Sequence, residues 1–396
     1  MTRQELMGVT ELTRPQVDQR LGQLRELNLL EESNVSASTG GRRPRAVGIK
    51  PRTGYVLAVA MGVTGVTVGA VDLSGSIIDR RSAPIDVSSG PHDALGVCVE
   101  LCQQLSGDID GEPWAAGIAV PGPVDIGRGI VVSPPILPGW DQFPIRDWIA
   151  EKLHMAVWLD NDANAMALGE HRYGAGRGHG NMVYVKLGSG IGSGIIMGGV
   201  LQRGDGGGAG DVGHLPVPGA SAPCPCGNVG CLEAVAGGLA LGRVAAALAE
   251  DGRSPLLRTL AEDGAEPDAS VLTRVAERGD PVALETLRLA GEQIGGVLAS
   301  VVSLLNPSQL VLGGGLSHSG DILVSSIRKS LYARALPLAS RDLLVRQAAL
   351  GEAGGVLGAA ELMVERLFSQ GVLEQWIENG TPQNRPDLTR ITAARA

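Results

Sequence analysis

His214 stands ten residues ahead of Cys224, and the chain then runs CPCGNVGC through Cys226 to Cys231. One imidazole and three thiolates are the ligand set of a closed, four-coordinate structural zinc site. Gly227 and Gly230 allow the tight turns that bring three sulfurs onto one ion. Buried free thiols beside a chance histidine would account for the composition but not for this spacing. The remaining cysteines, Cys98 and Cys102, lie four apart on an apolar stretch and read as core. An odd count of five, with no secretory signal pattern at the start, argues against a disulfide framework.

Three other segments hold groups that could bind or react. GSGIGSG, with Gly188, Gly190, Gly192 and Gly194, lies between apolar runs, where bare backbone N–H groups can wrap a phosphate. VLGGGLS, with Gly313 and Gly314 after a strand-like run, reads as a loop for the adenosine side of a nucleotide. Either cluster can equally be a plain turn. In LDNDANA, Asp162 can deprotonate a substrate hydroxyl that Asn161 orients. An Asn-Asp pair is also an ordinary helix cap.

The elements that must position these groups alternate in type. From Gly54 the texture is of apolar strands in GYVLAVAMG, TGVTVGAVD and GSIIDRRSAPI. A helix follows at about 92–105, then strands at 115–120 and 156–160, a hairpin at 182–201, long helices from 232 and 280, a strand from 309 and a last helix near 353–368. This is an α/β chain, and its 58 glycines suit one with many tight turns. Residues 371–396 are polar with proline and read as a flexible tail. No apolar run reads as a membrane span, so a cytoplasmic protein with no membrane partner is expected.

Residues 1–50 differ from the rest. They hold eight Lys/Arg against six acids, a balance of +2 in a chain whose net charge is −9. Val17, Leu21 and Leu24 form one apolar stripe of a helix that starts at Thr13 and Pro15. Its opposite face carries Arg14, Gln16, Gln19 and Arg20, side chains able to hydrogen-bond to base edges and phosphates. GGRRPR, with Arg42, Arg43 and Arg45, reads as a basic arm. Helical packing or dimerisation is the alternative use of this segment.

PGPVD (Pro121–Asp125), LPGW (Leu137–Trp140), LDNDANA, GSGIGSG, AGDVGH (Ala209–His214), CPCGNVGCLE and NPSQLVLGGG (Asn306–Gly315) follow one another in the order of the ROK family of repressors and sugar kinases. The chain resembles that family from about residue 2 to about 368. The resemblance implies an N-terminal winged helix-turn-helix at 1–50, then an actin-like (ribonuclease H-like) two-lobed ATPase/sugar kinase fold at 51–370. Its lobes would span about 54–163 and 164–360. It further implies a sugar in the interlobe cleft and a homodimer or homotetramer. By position, Asn161 matches a sugar-hydroxyl ligand, Asp162 the catalytic base, His214 a residue serving both zinc and sugar, and Glu233 a sugar ligand. Asp211 stands where the family usually has glutamate, and Ile136 where it often has asparagine.

One departure weighs on activity. Where the family's kinases carry an Asp-x-Gly-x-Thr phosphate motif, this chain reads Ala60, Met61, Gly62, Val63, Thr64. Phosphoryl transfer is mostly positioning and charge stabilisation, and alanine cannot help place a magnesium ion. The expected function is therefore a carbohydrate-responsive regulator of transcription, a repressor on operator DNA, with no need for ATP or Mg2+. A ROK-type sugar kinase of reduced activity is the alternative. Relatives carry a further helix ahead of TRQEL. Either the true start lies upstream, or Leu6, Leu24 and Leu27 need cover from elsewhere in the chain.

Overall fold

The computed structural model describes residues 1–34, 45–318, 321–378 and 380–390. Its first unit is two helices and a hairpin. Thr2 precedes α1 (Arg3–Thr10) and Thr13 precedes α2 (Arg14–Glu26). At the second start, Gln16 Oε1 accepts from the Thr13 backbone N–H at 2.9 Å, satisfying a group that no helical carbonyl can reach. Pro15 fits the first turn because its missing N–H would have had no partner there. Val17 and Leu21 are buried against Val47, with Leu6 packed alongside. Strands β1 (Leu30–Asn34) and β2 (Arg45–Ile49) pair antiparallel, Leu30 opposite Ile49. Arg42 and Arg43 lie outside the described residues.

Two five-stranded sheets follow. The first draws on β3 (Tyr55–Met61), β4 (Gly65–Asp72), β5 (Ile77–Pro84), β6 (Ala115–Val120) and β9 (Ala156–Asn161). Helix α3 (Pro91–Asp108), the short pair β7 (Val124–Asp125) and β8 (Ile130–Val131), and α4 (Ile145–Leu153) fall between them. Its order is β5-β4-β3-β6-β9, antiparallel through β3 and parallel beyond. Helix α5 (Asp162–Tyr173) leads to the second sheet, made of β10 (Met182–Leu187), β11 (Ile191–Met197), β12 (Val200–Gln202), β13 (Gln309–Gly313) and β14 (Leu344–Gln347). Its order, β12-β11-β10-β13-β14, repeats the same pattern of antiparallel and parallel pairs. Between β12 and β13 lie α6 (Leu232–Ala236), α7 (Gly238–Glu250), α8 (Pro255–Glu262), α9 (Ala269–Glu277) and α10 (Pro281–Leu305). After β13 come α11 (Asp321–Arg334) and α12 (Pro337–Ser340), and after β14 α13 (Ala353–Leu367) and α14 (Gln370–Ile377).

Central strand β3 shows why the sheets need cover on both faces. Tyr55, Leu57, Val59 and Met61 belong to one core and Val56 and Ala58 to another, so alternate residues are buried on opposite sides. Helix α13 supplies part of that cover by crossing back from the second sheet onto β3, β6 and α5.

Three sequence expectations give way. The helix from 232 is two, α6 and α7, divided where Gly237 adopts an extended conformation. Residues 232–250 and 281–305 do reach the length and apolar content of a membrane span. Their apolar faces lie in the core of the second lobe, where Leu241, Leu248, Leu287, Ile294 and Leu298 are buried. The tail, finally, is not uniformly flexible. Trp376 on α14 is fully buried, donates from Nε1 to Leu367 O at 2.8 Å and lies 5.8 Å from Trp114, while Leu388 is also buried. Leu24, Leu27 and Leu29 pack into this same cluster, which supplies the cover that α2 lacked.

Trp376→Ala is expected to cost about 3–5 kcal/mol of unfolding free energy, the usual range for deleting a buried aromatic ring. Denaturant titration checks this, and an unchanged midpoint would show that α14 contributes no packing.

Candidate functional site

The zinc ligands foreseen from spacing do converge. His214 Nδ1 lies 3.6 Å from Cys224 Sγ, Cys226 Sγ lies 3.7 Å from Cys231 Sγ, and all four ligand atoms fall within 4.8 Å of one another. A tetrahedral zinc with ordinary bond lengths sets its sulfurs about 3.8 Å apart and sulfur from nitrogen about 3.6 Å. The donor set and its spacing both fit that ion. The loop is held by Cys224 N–H donating to Asn228 O at 2.8 Å and Gly230 N–H to Ala222 O at 2.8 Å. The backbone N–H of Asn228 brings the Cys226 thiol down to about 7, while burial pushes Cys231 up to about 12 and also raises Cys224. One thiol is thus ready to ionise and the others must surrender protons to a metal. Cys98 and Cys102 are buried on α3, and burial pushes the Cys98 thiol up to about 12, as inert core thiols require.

The metal loop feeds directly into a cleft between the two sheets. With Nδ1 turned to the cysteines, His214 leaves Nε2 4.0 Å from Asp211 Oδ1, and both residues line the cleft. Two residues after Cys231, Glu233 sits in the first turn of α6 and accepts the Ile191 N–H on Oε2 at 2.9 Å. A Cβ on Gly190 would lie 2.1 Å from that same oxygen, so glycine is what lets the carboxylate rest against the turn. Gly194 answers to packing: its Cβ would meet Ala167 of α5 at 2.4 Å. Gly188 and Gly192 flank the same turn. Gly313 and Gly314 lie against Tyr184 Oη and the Leu187 carbonyl. The glycines that suggested a phosphate cradle thus serve, in large part, to bring helix, strand and carboxylate together.

At the opposite wall β9 runs into α5. Asn161 is the N-cap: its Oδ1 accepts from Ala163 N at 2.9 Å and Asn164 N at 3.2 Å, and its Nδ2 donates to Gly122 O at 2.9 Å. Asn161 thus caps the helix and also lines the cleft. Asp162 opens the helix with a nearly buried carboxylate paired to Lys186. Ile136 lines the cleft and brings no polar atom.

Two cleft residues escaped the sequence reading. Lys186 is a single cation in the apolar strand that precedes GSGIGSG, where it resembles a stray surface charge. Asn164 stands within LDNDANA, two residues after Asp162. Its Nδ2 is fixed on Asp160 Oδ1 at 2.9 Å, which leaves Oδ1 buried with no hydrogen-bond partner among the described residues. A buried acceptor left open is costly and invites a donor from a ligand.

The N-terminal candidates are divided. Arg14, Gln16, Gln19 and Arg20 are exposed along α2, though Gln16 is engaged at the cap. Arg45 lies 3.2 Å from Glu32, on which Arg3 and Arg25 also converge, and these cations hold the Glu32 carboxyl below its ordinary range.

Set against known proteins, residues 56–366 match the ROK family model. The chain belongs to the ROK family. A glucokinase of Thermotoga maritima is 34% identical over 79% of this chain and 98% of its own length. A xylose repressor of Bacillus spizizenii is 27% identical over 93% of this chain and 92% of its own. Among solved structures, a ROK family transcriptional regulator described as a homolog of the E. coli Mlc protein superposes with TM-score 0.80 at 25% identity, covering 96% of this chain and 95% of its own. A ROK glucokinase of Streptomyces griseus, in complex with glucose and AMPPNP, superposes with TM-score 0.68 at 34% identity, covering 78% of this chain and 99% of its own. The actin-like sugar kinase fold expected of the two lobes is the fold of this ROK chain.

Metal analysis of protein purified without added zinc is expected to find about one equivalent per chain, as a four-ligand site demands. Cys231→Ala should abolish it. Metal-free wild-type protein that keeps its full thermal stability would remove the site from the structure's supports.

Proposed function

We infer that this protein is a carbohydrate-responsive transcriptional repressor, with residues 1–50 acting as a winged helix-turn-helix on operator DNA and the interlobe cleft holding a sugar. The extent of the matches carries the reading. Regulator-type relatives match over 93–96% of the chain and kinase-type relatives over 78–79%, a difference close to the length of residues 1–50. In that unit α2 presents Arg14, Gln19 and Arg20 outward in the manner of a recognition helix in the major groove. Arg42, Arg43 and Arg45, in and beside the connection of the hairpin, are suited to phosphates or to the adjacent minor groove. The protein would act in the cytoplasm, without a membrane partner, as a homodimer or homotetramer. Exposed Leu289, Leu304, Leu336 and Leu338 on and beside α10 and α12 favour self-association. Two copies related by a twofold axis would read a roughly palindromic site.

The cleft favours sensing over turnover. Asp162, Asp211, Glu233 and Asn164 offer acceptors, and the His214 Nε2–H a donor, for a hydroxylated ring seated beside Asn161, each hydrogen bond contributing about 0.5–1.5 kcal/mol net. Zinc at His214, Cys224, Cys226 and Cys231 would be structural. At Ala60 the side chain lies beside Gly355, and the carboxylate that would help place a magnesium ion is missing. Loss of a charge-stabilising group of this kind costs about two to three powers of ten in rate, which leaves ATP and Mg2+ without a task here. The kinase alternative draws on the 34% identity to glucokinases and on the retained Asp162, the position of the family's base.

A mobility shift on the DNA upstream of the protein's own gene, with a panel of sugars, tests the reading, and a parallel phosphorylation assay separates the alternatives. Replacing Arg14 and Arg20 by alanine should weaken sequence-specific binding by about 1–3 kcal/mol for each bidentate base pairing removed. Replacing Arg42 and Arg43 should instead flatten the salt dependence on all sequences. Glu233→Gln should blunt the sugar response and leave sugar-free DNA binding intact. Brisk sugar phosphorylation by the unaltered protein, without any shift of DNA, would reverse the choice between repressor and kinase.

A further inference from the structure

Lys186 is the only Lys or Arg among the described residues that line the cleft. It projects from β10, the middle strand of the second sheet, with Gly192 of β11 beside it on one side and Gly313 of β13 on the other. Its neighbours are thus the two glycine segments that would border a nucleotide's phosphates. Its ammonium is not left open to that space. It pairs with Asp162 across the junction of the lobes, with side-chain exposures of 18% for the lysine and 7% for the aspartate.

Apart from the Nε2–H that His214 keeps when its Nδ1 faces the metal, and Ser193, whose hydroxyl donates to Gly210 O, the side chains that line the rest of the cleft chiefly accept hydrogen bonds. Asn164, which lines the cleft, has a buried Oδ1 with no partner among the described residues, and Asp211 and Glu233 bring carboxylates. Arg203, which follows β12, is committed to Asp160 at 2.8 Å. A ligand for such a surface must bring donors. Sugar hydroxyls do so, whereas a phosphoryl group brings only acceptors and negative charge to a place whose single ammonium is already neutralised.

We propose that the Asp162–Lys186 ion pair selects the charge of the effector: by taking the one cleft ammonium out of service, it makes the site accept an uncharged monosaccharide and refuse its phosphate ester. This rests on the sugar-sensor reading above and adds to it a specificity residue, Lys186, together with the class of ligand. It also gives Asp162 a use that needs no proton transfer, since a carboxylate held on an ammonium keeps one oxygen free to accept a sugar hydroxyl.

Calorimetric titration with xylose, glucose, mannose and N-acetylglucosamine, and with the 6-phosphates of the last three, tests the proposal on the full-length protein. The unaltered protein should bind at least one neutral sugar and bind the phosphate of that sugar about tenfold more weakly or worse, the scale of one charge-assisted hydrogen bond. Asp162→Asn releases the ammonium. It should lose affinity for the neutral sugar and gain affinity for the phosphate ester, inverting the order. Lys186→Met should not gain phosphate ester binding. Zinc content and melting temperature of both variants establish that they fold. Tighter binding of a sugar phosphate by the unaltered protein, or an Asp162→Asn protein that folds and gains nothing, overturns the selector while leaving the sensor reading in place. Failure of every sugar and every phosphate to bind the unaltered protein takes down the sensor reading and the selector with it.

Discussion

Three consecutive side chains at the end of β9 hold the two lobes in register. Asp160 is fully buried and accepts from Arg203 Nε at 2.8 Å, from Asn164 Nδ2 at 2.9 Å and from the Asn161 backbone N–H at 2.7 Å. A charge so placed is tolerable only because every partner is present, and removing one would strand it. Arg203 follows β12 of the second sheet, so this pair ties the last strand of one lobe to the far side of the other. Asn161 then closes the N-terminus of α5, and Asp162 turns its carboxylate into the cleft. Strand, cap and cleft residue are thus fixed by one run of backbone, and none can shift without the others.

The facing wall is built in the same economical way from the metal loop. Zinc at His214 and the cysteines would fix a stretch with little regular structure, rich in proline and glycine, that could not hold a shape by packing alone. Its exit residue, Cys231, is the N-cap position of α6, and Glu233 lies in the first turn of that helix. There the helix dipole favours a negative charge, and the Ile191 N–H adds a direct hydrogen bond. Metal loop, helix start and glycine turn therefore converge on one carboxylate, that of Glu233. A metal held at the cysteines would decide where that carboxylate stands without touching it.

What could be read from the sequence was what depends on near neighbours. The cysteine spacing, the cap at Thr13 and the strand pattern from Gly54 are local, and each survives in the fold. Lys186 was invisible because its meaning comes from Asp162, on another element and in the other wall of the cleft. Asn164 was hidden inside a motif whose first two polar residues already suggest a function, and its importance rests on an acceptor left open, which only the hydrogen-bond network discloses. The C-terminal segment misled through its average. Polar residues dominate its composition, yet Val372, Trp376 and Leu388 are buried and anchor it. The division of the helix at Gly237 and the return of α13 to the first sheet are likewise decided by tertiary packing that no local pattern records.

That return matters for any link between ligand and DNA. Helix α13 begins beside Ala60, where a Cβ on Gly355 would come within 2.9 Å of the alanine, and it packs along α5, the helix that Asn161 caps. Its last residue, Leu367, takes the Trp376 indole N–H, and Trp376 packs with Trp114 and Phe368. Leu24, Leu27 and Leu29, at the end of α2 and the start of the hairpin, belong to the same apolar cluster as these rings. Lys50 N–H and Thr53 Oγ1 add hydrogen bonds to the carbonyls of Leu29 and Asn28 at 2.8 and 3.0 Å. The wall of the cleft and the helix that would face DNA are therefore joined by continuous, close-packed matter. Contiguity alone transmits nothing. A bound sugar can shift DNA binding only by as much as its affinity differs between two arrangements of the lobes. A packed aromatic cluster between them, unable to deform gradually, is the kind of element that turns a small rotation into a choice between two seats for α2.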